Sequence, residues 1–358
     1  MNILIDIGHP AHIHLFKNFA WEMQKKGHKI LFTCRDREFL LRLLQVYGFI
    51  YENFGRHNKS VGAKIFGLIK NELQMFNIAI QFKPDIFLSH GSAIAAFTSF
   101  LLHKPHISFE DTFNMEQVRL YLPFTDVVLT GDYPHPSLGR KEIKYPGYHE
   151  LAYLHPNVFT PDENVLKELG IEKGEKYAIV RFIAFNATHD IGQQGICKEN
   201  KIKLVKELSR YLKVFISSEG DLPEELKEYQ IKIKPENMHN VLYYAQLLVG
   251  ESGTMANECA ILGTPNIIIG SRAKHIGIHQ ELSNRFKLQY IFNNISEAWD
   301  LIEYLANSSK PKEEMRNKLN ILYENKIDVT SFLVWFINNY PHSINEIKNP
   351  DFIFFSFH

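Results

Sequence analysis

Residues 3–33, ILIDIGHPAHIHLFKNFAWEMQKKGHKILFT, show the fold class most clearly. An apolar run over residues 3–7 predicts a buried strand, and an amphipathic segment over 11–26, which ends at Gly27, predicts a helix. A second apolar run over 29–33 predicts the next strand. Because parallel strands are usually joined by a helical crossover, this stretch predicts one strand–helix–strand unit of a parallel sheet.

The same alternation of short apolar runs and helical patterns continues along the chain. Further strands are predicted over residues 85–89, 106–109, 126–130, 177–182, 214–217, 231–233, 247–250 and 266–269. Further helices are predicted over residues 38–47, 64–81, 92–102, 201–211, 255–262, 296–306, 312–325 and 329–340. The predicted fold is therefore α/β, with two parallel sheets that carry helices on both faces and face a central cleft.

The alternation is interrupted where Pro, Gly, His and Tyr cluster, between residues 134 and 161. This interruption predicts an N-terminal α/β domain over 1–147, a linker over 148–161 and a C-terminal α/β domain over 162–328. Residues 329–358 are predicted to form a helix and an apolar tail. Since ligands bind beyond the carboxyl ends of parallel strands, we expect the functional residues in the loops that follow the strands.

Composition excludes several classes of function. The 358 residues carry 40 Lys and Arg against 40 Asp and Glu, so neither the net charge nor any block of like charge predicts a nucleic-acid partner. The three cysteines are far apart and form no CxxC pair, which is typical of a reducing cytosol. The start has no signal-peptide pattern and no apolar run reaches about 18 residues, so we expect a cytoplasmic protein.

The loop after the first predicted strand holds three of the 17 histidines, His9, His12 and His14. A dinucleotide-binding loop would have the pattern GxGxxG, of which only Gly8 is present. The positive end of a helix lowers the pKa of a histidine, and a general base near pH 7 must be a neutral imidazole. His12 is the candidate general base, with His9 as a second candidate catalytic residue beside it, and helix capping and packing are the alternative. No metal site is expected, because His12 and His14 do not share a helix face.

A second loop, GESGTMANE over residues 250–258, follows an apolar strand and begins a helix of small residues. Hydroxyl groups, a glycine and free backbone N–H groups at a helix N-terminus suit a phosphate. An ordinary N-cap with an acidic first turn is the alternative. We expect Glu258 to accept hydrogen bonds from ribose hydroxyls. The other candidate ligand-binding residues of this loop are Glu251, Ser252, Gly253, Thr254 and Met255.

Two further strand ends carry candidate residues. Arg181 could pair with a diphosphate in a bidentate geometry, with a surface ion pair as the alternative, and His189 follows in the same loop. At the end of a first-half strand, the adjacent carboxylates Glu110 and Asp111 point to opposite sides of an extended backbone. Only one of them is expected to face the cleft as an acid or base; a helix N-cap at Asp111 or Thr112 is the alternative.

These motifs resemble those of a known superfamily. AHIHLFKNFAWEMQKKGHKILF, residues 11–32, resembles the opening GH-x-x-P…L…GH-x-V of GT-B glycosyltransferases, with His12 at the position of their catalytic histidine and with Ala11 and Leu15 in place of the Gly and Pro. ESGTMANECAILGTP, residues 251–265, resembles the donor-phosphate motif that GT-B transferases share with UDP-GlcNAc 2-epimerases.

A closer resemblance covers nearly the whole chain. IDIGHPAHIHLFKN, VRFIAFNATHD, PENMH and GESGTMANECAILGTP together resemble an uncharacterised prokaryotic family known as a domain of unknown function. This resemblance implies a GT-B-like fold of two Rossmann-like domains, with a nucleotide-sugar donor on the second domain and an acceptor on the first. It also implies no obligatory metal or cofactor, and a last helix, 329–340, that crosses back to the first domain.

The resemblance leaves two reactions open. The epimerases carry G-D-T after a first-domain strand, where this chain has His90-Gly91-Ser92 and so lacks the carboxylate. Epimerisation must move a proton at a sugar carbon, whereas inverting transfer needs one base and positive groups on the leaving diphosphate. We therefore predict a GT-B-type glycosyltransferase that uses a UDP-sugar in surface polysaccharide or glycoconjugate synthesis. A nucleotide-sugar 2-epimerase and a non-catalytic sugar-nucleotide-binding protein are the alternatives.

Two apolar segments bear on the acceptor. Residues 59–70 mix lysines with bulky apolar side chains, a composition that suits peripheral contact with an anionic membrane and a glycan or lipid-linked acceptor. A core-facing helix with a solvated lysine edge is the alternative. The apolar tail over 352–357 is too short to span a membrane and is expected to dock in a groove or on a partner surface.

Overall fold

The chain folds into two units, each built on one parallel sheet. In the computed structural model, one unit comprises Met1–Val158 with Lys326–His358, and the other comprises Phe159–Asn325. The structure describes residues 1–37, 39–56, 61–172, 174–183 and 195–357. Within these residues, no helix has both the length and the apolar character that crossing a membrane requires.

The sheet of the first unit contains seven strands in the described residues, all parallel, in the order β3-β2-β1-β4-β5-β6-β7. The strands are β1 Asn2–Ile7, β2 Lys29–Asp36, β3 Tyr51–Arg56, β4 Ile86–His90, β5 His106–Phe109, β6 Val127–Gly131 and β7 Glu142–Tyr145. The helices of this unit are α1 Pro10–Lys25, α2 Leu40–Val46, α3 Val61–Phe82, α4 Ala93–Leu101, α5 Met115–Tyr121 and α6 Leu151–Leu154, followed near the end of the chain by α14 Val329–Asn338 and α15 His342–Ile347.

The sheet of the second unit contains five parallel strands in the described residues, in the order β12-β11-β10-β8-β9. The strands are β8 Tyr177–Phe182, β9 Lys213–Ser218, β10 Leu247–Gly250, β11 Asn266–Ile269 and β12 Tyr290–Phe292. The helices are α7 Asn164–Glu168, α8 Lys198–Leu208, α9 Met238–Tyr244, α10 Gly253–Ile261, α11 Gly277–Gln280, α12 Trp299–Asn307 and α13 Lys310–Asn325. The α/β class with two parallel sheets, predicted from the sequence, is confirmed.

The strand order places one switch point in each sheet. In the first sheet the chain builds β2 and β3 on one side of β1 and then returns to add β4 on the other side. In the second sheet it adds β9 beside β8 and then places β10 on the opposite side. Crossovers leave in opposite directions at such points and open a crevice beyond the carboxyl ends of the two strands. The loops after β1 and β4, and after β8 and β10, are therefore the places to look for ligands.

Three of the four edge strands in the described residues were missed. β3, β7 and β12 were not predicted, because an edge strand does not need the long continuous apolar run of a central strand, whereas β9, the fourth, was predicted over residues 214–217. Residues 231–233, which were predicted to form a strand, do not form one; only Gln230 makes an isolated bridge, with Ile216. Lys232 and Lys234 are exposed on either side of a half-buried Ile233, so this segment covers the sheet edge without joining it.

The structure divides the chain at positions other than those predicted. Residues 148–158, predicted to be linker, lie in the first unit, where Tyr148 is fully buried and α6 packs against α1. Residues 326–328 also lie in the first unit, where the backbone N–H of Ile327 donates to the carbonyl oxygen of Pro146 at 2.9 Å. The crossings therefore fall after Val158 and after Asn325, because the Tyr and His cluster that resembles a linker is packed core.

The apolar tail packs on its own unit. The ring of Trp335 in α14 lies 5.1 Å from that of Phe352 and 5.3 Å from that of Phe357. The backbone N–H of Asp328 donates to the carbonyl oxygen of Phe357 at 2.8 Å. The tail therefore covers the face of a helix in the first unit. The stretch 59–70 begins outside the described residues, and the side chains of 61–69 are also outside them.

Candidate functional site

The loop after β1 organises its histidines through backbone hydrogen bonds. His9 is the N-cap of α1, and its Nδ1 accepts the N–H of Ala11 at 3.2 Å. Pro10 at the first position has no N–H to satisfy, as is common at helix starts. The N–H of Gly8 donates to His12 Nδ1 at 3.2 Å. The predicted alternative of helix capping therefore describes His9, while His12 is held by the loop that precedes its helix.

His12 meets a second histidine across the switch point. Its ring stacks on that of His90, the last residue of β4, with 4.4 Å between centroids and 24° between planes. Burial, and then the proximity of His90 and His9, hold the pKa of His12 well below its usual value, so the ring is neutral. Because Nδ1 accepts from Gly8, the proton of the neutral ring lies on Nε2. In this tautomer His12 Nε2 is a hydrogen-bond donor.

Asp111 joins His90 to a third histidine. His90 Nε2 lies 3.0 Å from Asp111 Oδ1, and His149 Nδ1 lies 3.2 Å from Asp111 Oδ2. Burial alone would raise the pKa of Asp111, but His90 and His149 outweigh it and hold that pKa well below its usual value. Burial alone would lower the pKa of His90, but Asp111 outweighs it and raises the pKa to about 9. Near neutral pH, a carboxylate therefore faces an imidazolium.

The neighbouring carboxylate, Glu110, points the other way. Its Oε1 accepts from the N–H and hydroxyl of Thr112 at 2.9 and 2.7 Å and from the N–H of Phe113 at 2.8 Å. Its Oε2 accepts from the hydroxyl of Tyr121 at 2.6 Å. Glu110 is 3% exposed, whereas the side chain of Asp111 is 35% exposed. Of the two carboxylates, Asp111 therefore faces the solvent edge, and Glu110, the predicted acid or base, holds the loop.

The spacing of His90, Asp111 and His149 would also suit a cation, since their ligand atoms lie within 4.8 Å of one another. Hydrogen bonding already accounts for this proximity, because each carboxylate oxygen faces one ring nitrogen at hydrogen-bond distance. An imidazolium must lose its proton before it can ligate a metal. The arrangement is therefore that of a carboxylate held between two imidazoles.

Sequence reasoning missed two members of this cluster. His149 lies in the stretch predicted to be a linker, and the sequence singles out His90 only as a near neighbour of Ser92, where the epimerases have a carboxylate. Ser92, at that position, donates to Asp6 Oδ2 at 2.6 Å and caps α4. The positions of the two histidines could have revealed them, because polar residues at the carboxyl ends of adjacent parallel strands lie close together in the fold.

In the second unit, α10 begins at the switch point between β8 and β10. Ser252 is its N-cap and accepts from the N–H of Met255 at 3.4 Å, as the N-cap alternative predicted. The first N–H groups of a helix have no partner inside it and carry its positive end. A Cβ on Gly253 would lie 2.6 Å from Nε2 of the buried His279, so only glycine fits there. Thr254 is exposed at this end of the helix.

Two other residues that were predicted to bind the nucleotide-sugar donor instead contact groups of their own unit. The two carboxylate oxygens of Glu251 accept from the N–H groups of Ile183 and Ile196, at 3.2 and 2.5 Å. Glu251 thus joins the two ends of the segment that contains His189, which lies outside the described residues. Glu258, predicted to bind ribose, is buried with its carboxylate 3.1 Å from His239 Nε2.

The exposed basic side chains at the carboxyl ends of these strands are not the one that the sequence predicted. Arg181 donates to Ser217 Oγ at 2.9 Å and pairs with Glu219 at 2.5 Å, which is the ion-pair alternative. Arg272 and Lys274 are exposed in the loop after β11, next to β10, and were not predicted. Both belong to the stretch GSRAKHIGIH, in which basic residues after an apolar strand were the available signal.

Solved structures share this fold at low sequence identity. The S. aureus MnaA–UDP co-structure aligns with a TM-score of 0.69 and 13% identity, covering 96% of this chain and 98% of that one. The Methanocaldococcus jannaschii UDP-GlcNAc 2-epimerase in complex with UDP-GlcNAc and UDP gives 0.60 and 12%, covering 90% and 100%. The Streptomyces sp. SF2575 glycosyltransferase SsfS6 gives 0.58 and 13%, covering 94% and 99%.

Sequence comparison agrees with the resemblance found in the motifs. The uncharacterized protein MJ0665 of Methanocaldococcus jannaschii is 23% identical over 335 residues, which cover 90% of this chain and 97% of the relative. A family profile matches residues 1–330. The chain belongs to the family described as protein of unknown function (DUF354).

Proposed function

We propose that the chain is a glycosyltransferase that moves a sugar from a nucleoside diphosphate sugar to a hydroxyl acceptor, with UDP as the expected nucleotide. The proposal rests chiefly on the position of the N-terminus of α10, which lies at the switch point of the second sheet. Helix N-termini at such points bind phosphate through backbone N–H groups and the helix dipole. Neighbours solved with UDP or UDP-GlcNAc support the same ligand class.

The donor-binding residues follow from this placement. The N–H groups of Gly253 and Thr254 and the hydroxyls of Ser252 and Thr254 would hold the diphosphate, with Met255 beside them. Arg272 and Lys274 would supply the positive charge that stabilises a leaving nucleoside diphosphate. Arg181, Glu251 and Glu258 bond to groups of their own unit, so we propose that they hold the donor site in shape and do not contact the nucleotide. His189 remains a candidate contact.

The first unit would supply the acceptor side. His12 and His90 lie at its switch point, where a hydroxyl acceptor could take a hydrogen bond from His12 Nε2. His9 shapes the loop as the N-cap. We propose a glycan or a lipid-linked molecule as the acceptor, in surface polysaccharide synthesis. The protein itself is proposed to act in the cytoplasm, in peripheral contact with the membrane. No obligatory metal or cofactor is included in it.

One observation favours nucleotide-sugar 2-epimerisation as a second candidate. The case against it was the carboxylate absent at Ser92, yet Asp111 provides an exposed carboxylate at the same edge of the sheet. Epimerisation needs groups that remove and return a proton at the sugar carbon, and a carboxylate beside imidazoles suits that task.

A donor screen separates the candidates. The purified chain is mixed with UDP- and dTDP-sugars, with and without a panel of hydroxyl acceptors, and products are identified by NMR. Transfer predicts rapid release of the nucleoside diphosphate only with an acceptor. Interconversion of UDP-GlcNAc with its C2 epimer in the absence of acceptor would contradict transfer and establish epimerisation. If the chain binds a nucleotide sugar but turns it over in none of the mixtures, it is a non-catalytic sugar-nucleotide-binding protein.

A further inference from the structure

We propose that Asp111, held between His90 and His149, is the group that takes the acceptor proton during transfer. The inference rests on the proposed function and adds a catalytic residue to it. Asp111 lies after β5, one strand beyond the switch point, with one carboxylate oxygen against each imidazole.

The assignment follows from which nitrogen and oxygen atoms can still accept a proton. Both oxygens of Glu110 are occupied by protein donors and the residue is buried. His12 Nε2 carries a hydrogen when Nδ1 accepts from Gly8. His90 directs its Nε2 to Asp111, and His149 directs its Nδ1 to the same carboxylate.

Asp111 retains both acceptor capacity and access. A carboxylate has about four lone-pair sites, of which the two histidines occupy two. The side chain of Asp111 is 35% exposed, against 9% for His90 and 7% for His149. His149 Nε2 is buried without a hydrogen-bond partner in the part of the chain that is described, so a substrate cannot reach it directly. Among these groups, Asp111 is therefore the accessible proton acceptor.

The two histidines are positioning residues. Each donates one N–H to Asp111 and so fixes the plane of the carboxylate. Other titratable groups near Asp111 in the described residues are His12, which stacks on His90, and Glu110, the chain neighbour. Three tyrosines also lie near it: Tyr121 in α5, Tyr133 after β6 and Tyr145 at the end of β7. These tyrosines are buried and their pKa values are raised, so they stay neutral.

The step balances without a further reactant. The acceptor hydroxyl gives its proton to a carboxylate oxygen of Asp111, and the hydroxyl oxygen forms a bond to the anomeric carbon of the donor. The bond from that carbon to the diphosphate oxygen breaks, and its electron pair leaves with the nucleoside diphosphate. Asp111 then returns the proton to solvent, to which it is exposed.

The first test uses Asp111→Asn, which keeps the size of the side chain. We expect a loss of about 10²- to 10⁴-fold in kcat, with the dissociation constant for UDP unchanged by calorimetry. A variant that keeps more than about a tenth of the wild-type rate would overturn the role of Asp111. Failure of the proposed function shows differently, since the wild-type chain itself would then transfer no sugar.

The second test does not depend on the folding of Asp111→Asn. His90→Gln keeps an N–H donor at the place of Nε2 but removes the positive charge. Asp111 must be ionised to accept a proton, and His90 lowers its pKa. The loss of this charge should therefore move the acidic limb of the kcat profile upward by about 1–3 pH units. An acidic limb at the wild-type position would overturn the proposal.

A third measurement addresses the cation alternative. Wild-type activity should survive EDTA. Activity that is lost in EDTA and restored by Zn²⁺ or Mn²⁺ would make the three side chains metal ligands and would overturn the proton role.

Discussion

Replacing His12 with alanine is expected to lower kcat/KM for sugar transfer by about 10²- to 10³-fold while leaving the affinity for UDP unchanged. The nucleotide is proposed to bind the second unit, whereas His12 lies in the first. The loss would come from a hydrogen-bond donor removed at the acceptor. Steady-state kinetics and calorimetry on the same preparations provide the two quantities.

A glutamine at the same position separates a donor from a base. The side-chain N–H₂ of glutamine lies close to where Nε2 of histidine lies, and it donates but does not take a proton. Since Nδ1 of His12 accepts from Gly8, Nε2 is the donor that glutamine would replace. We therefore expect His12→Gln to lower kcat/KM by less than about tenfold. Activity as low as that of the alanine variant would contradict the donor role and restore His12 as the general base.

Replacing Glu110 with alanine is expected to lower the free energy of unfolding of the first unit by about 2–4 kcal/mol. The carboxylate accepts from backbone N–H groups of Thr112 and Phe113 and from the hydroxyl of the fully buried Tyr121. A buried donor left without a partner costs about 1–3 kcal/mol, which applies in full to the Tyr121 hydroxyl, whereas the N–H groups of the exposed Thr112 and the half-buried Phe113 cost less. Chemical denaturation followed by fluorescence or circular dichroism measures the change.

Two variants control this result. Glu110→Gln keeps an acceptor oxygen for the loop and should cost less than the alanine variant. Glu116 is exposed in the first turn of α5, so Glu116→Ala should change the stability by no more than about 0.5 kcal/mol. Equal stabilities of the Glu110→Ala and Glu116→Ala variants would contradict the structural role of Glu110.

The fold was largely predictable, because its central strands are buried on both faces and leave continuous apolar runs. β1, β8 and β10 were found for that reason, at bounds within one residue. β3, at a sheet edge, has the mixed sequence YENFGR and lacks such a run, whereas β12, at the edge of the second sheet, is apolar but only three residues long. The ends of the first unit were missed because Tyr148 and Lys326, both residue types common in loops, are fully buried.

The candidate site was less predictable, because it depends on which way side chains point. The sequence placed two carboxylates side by side at the end of β5, but backbone geometry decides that Glu110 is buried and Asp111 exposed. The same holds for Arg181, whose pairing with Glu219 depends on strand β9 lying beside β8. His149 comes from a segment far along the chain, and only the folded unit brings it to Asp111.

A crystal structure of the chain with UDP-GlcNAc tests the proposed donor site at α10. We predict diphosphate oxygens within about 3 Å of the backbone N–H groups of Gly253 and Thr254, at the start of α10. A nucleotide bound elsewhere on the chain, or an empty α10 N-terminus at millimolar UDP-GlcNAc, would contradict it.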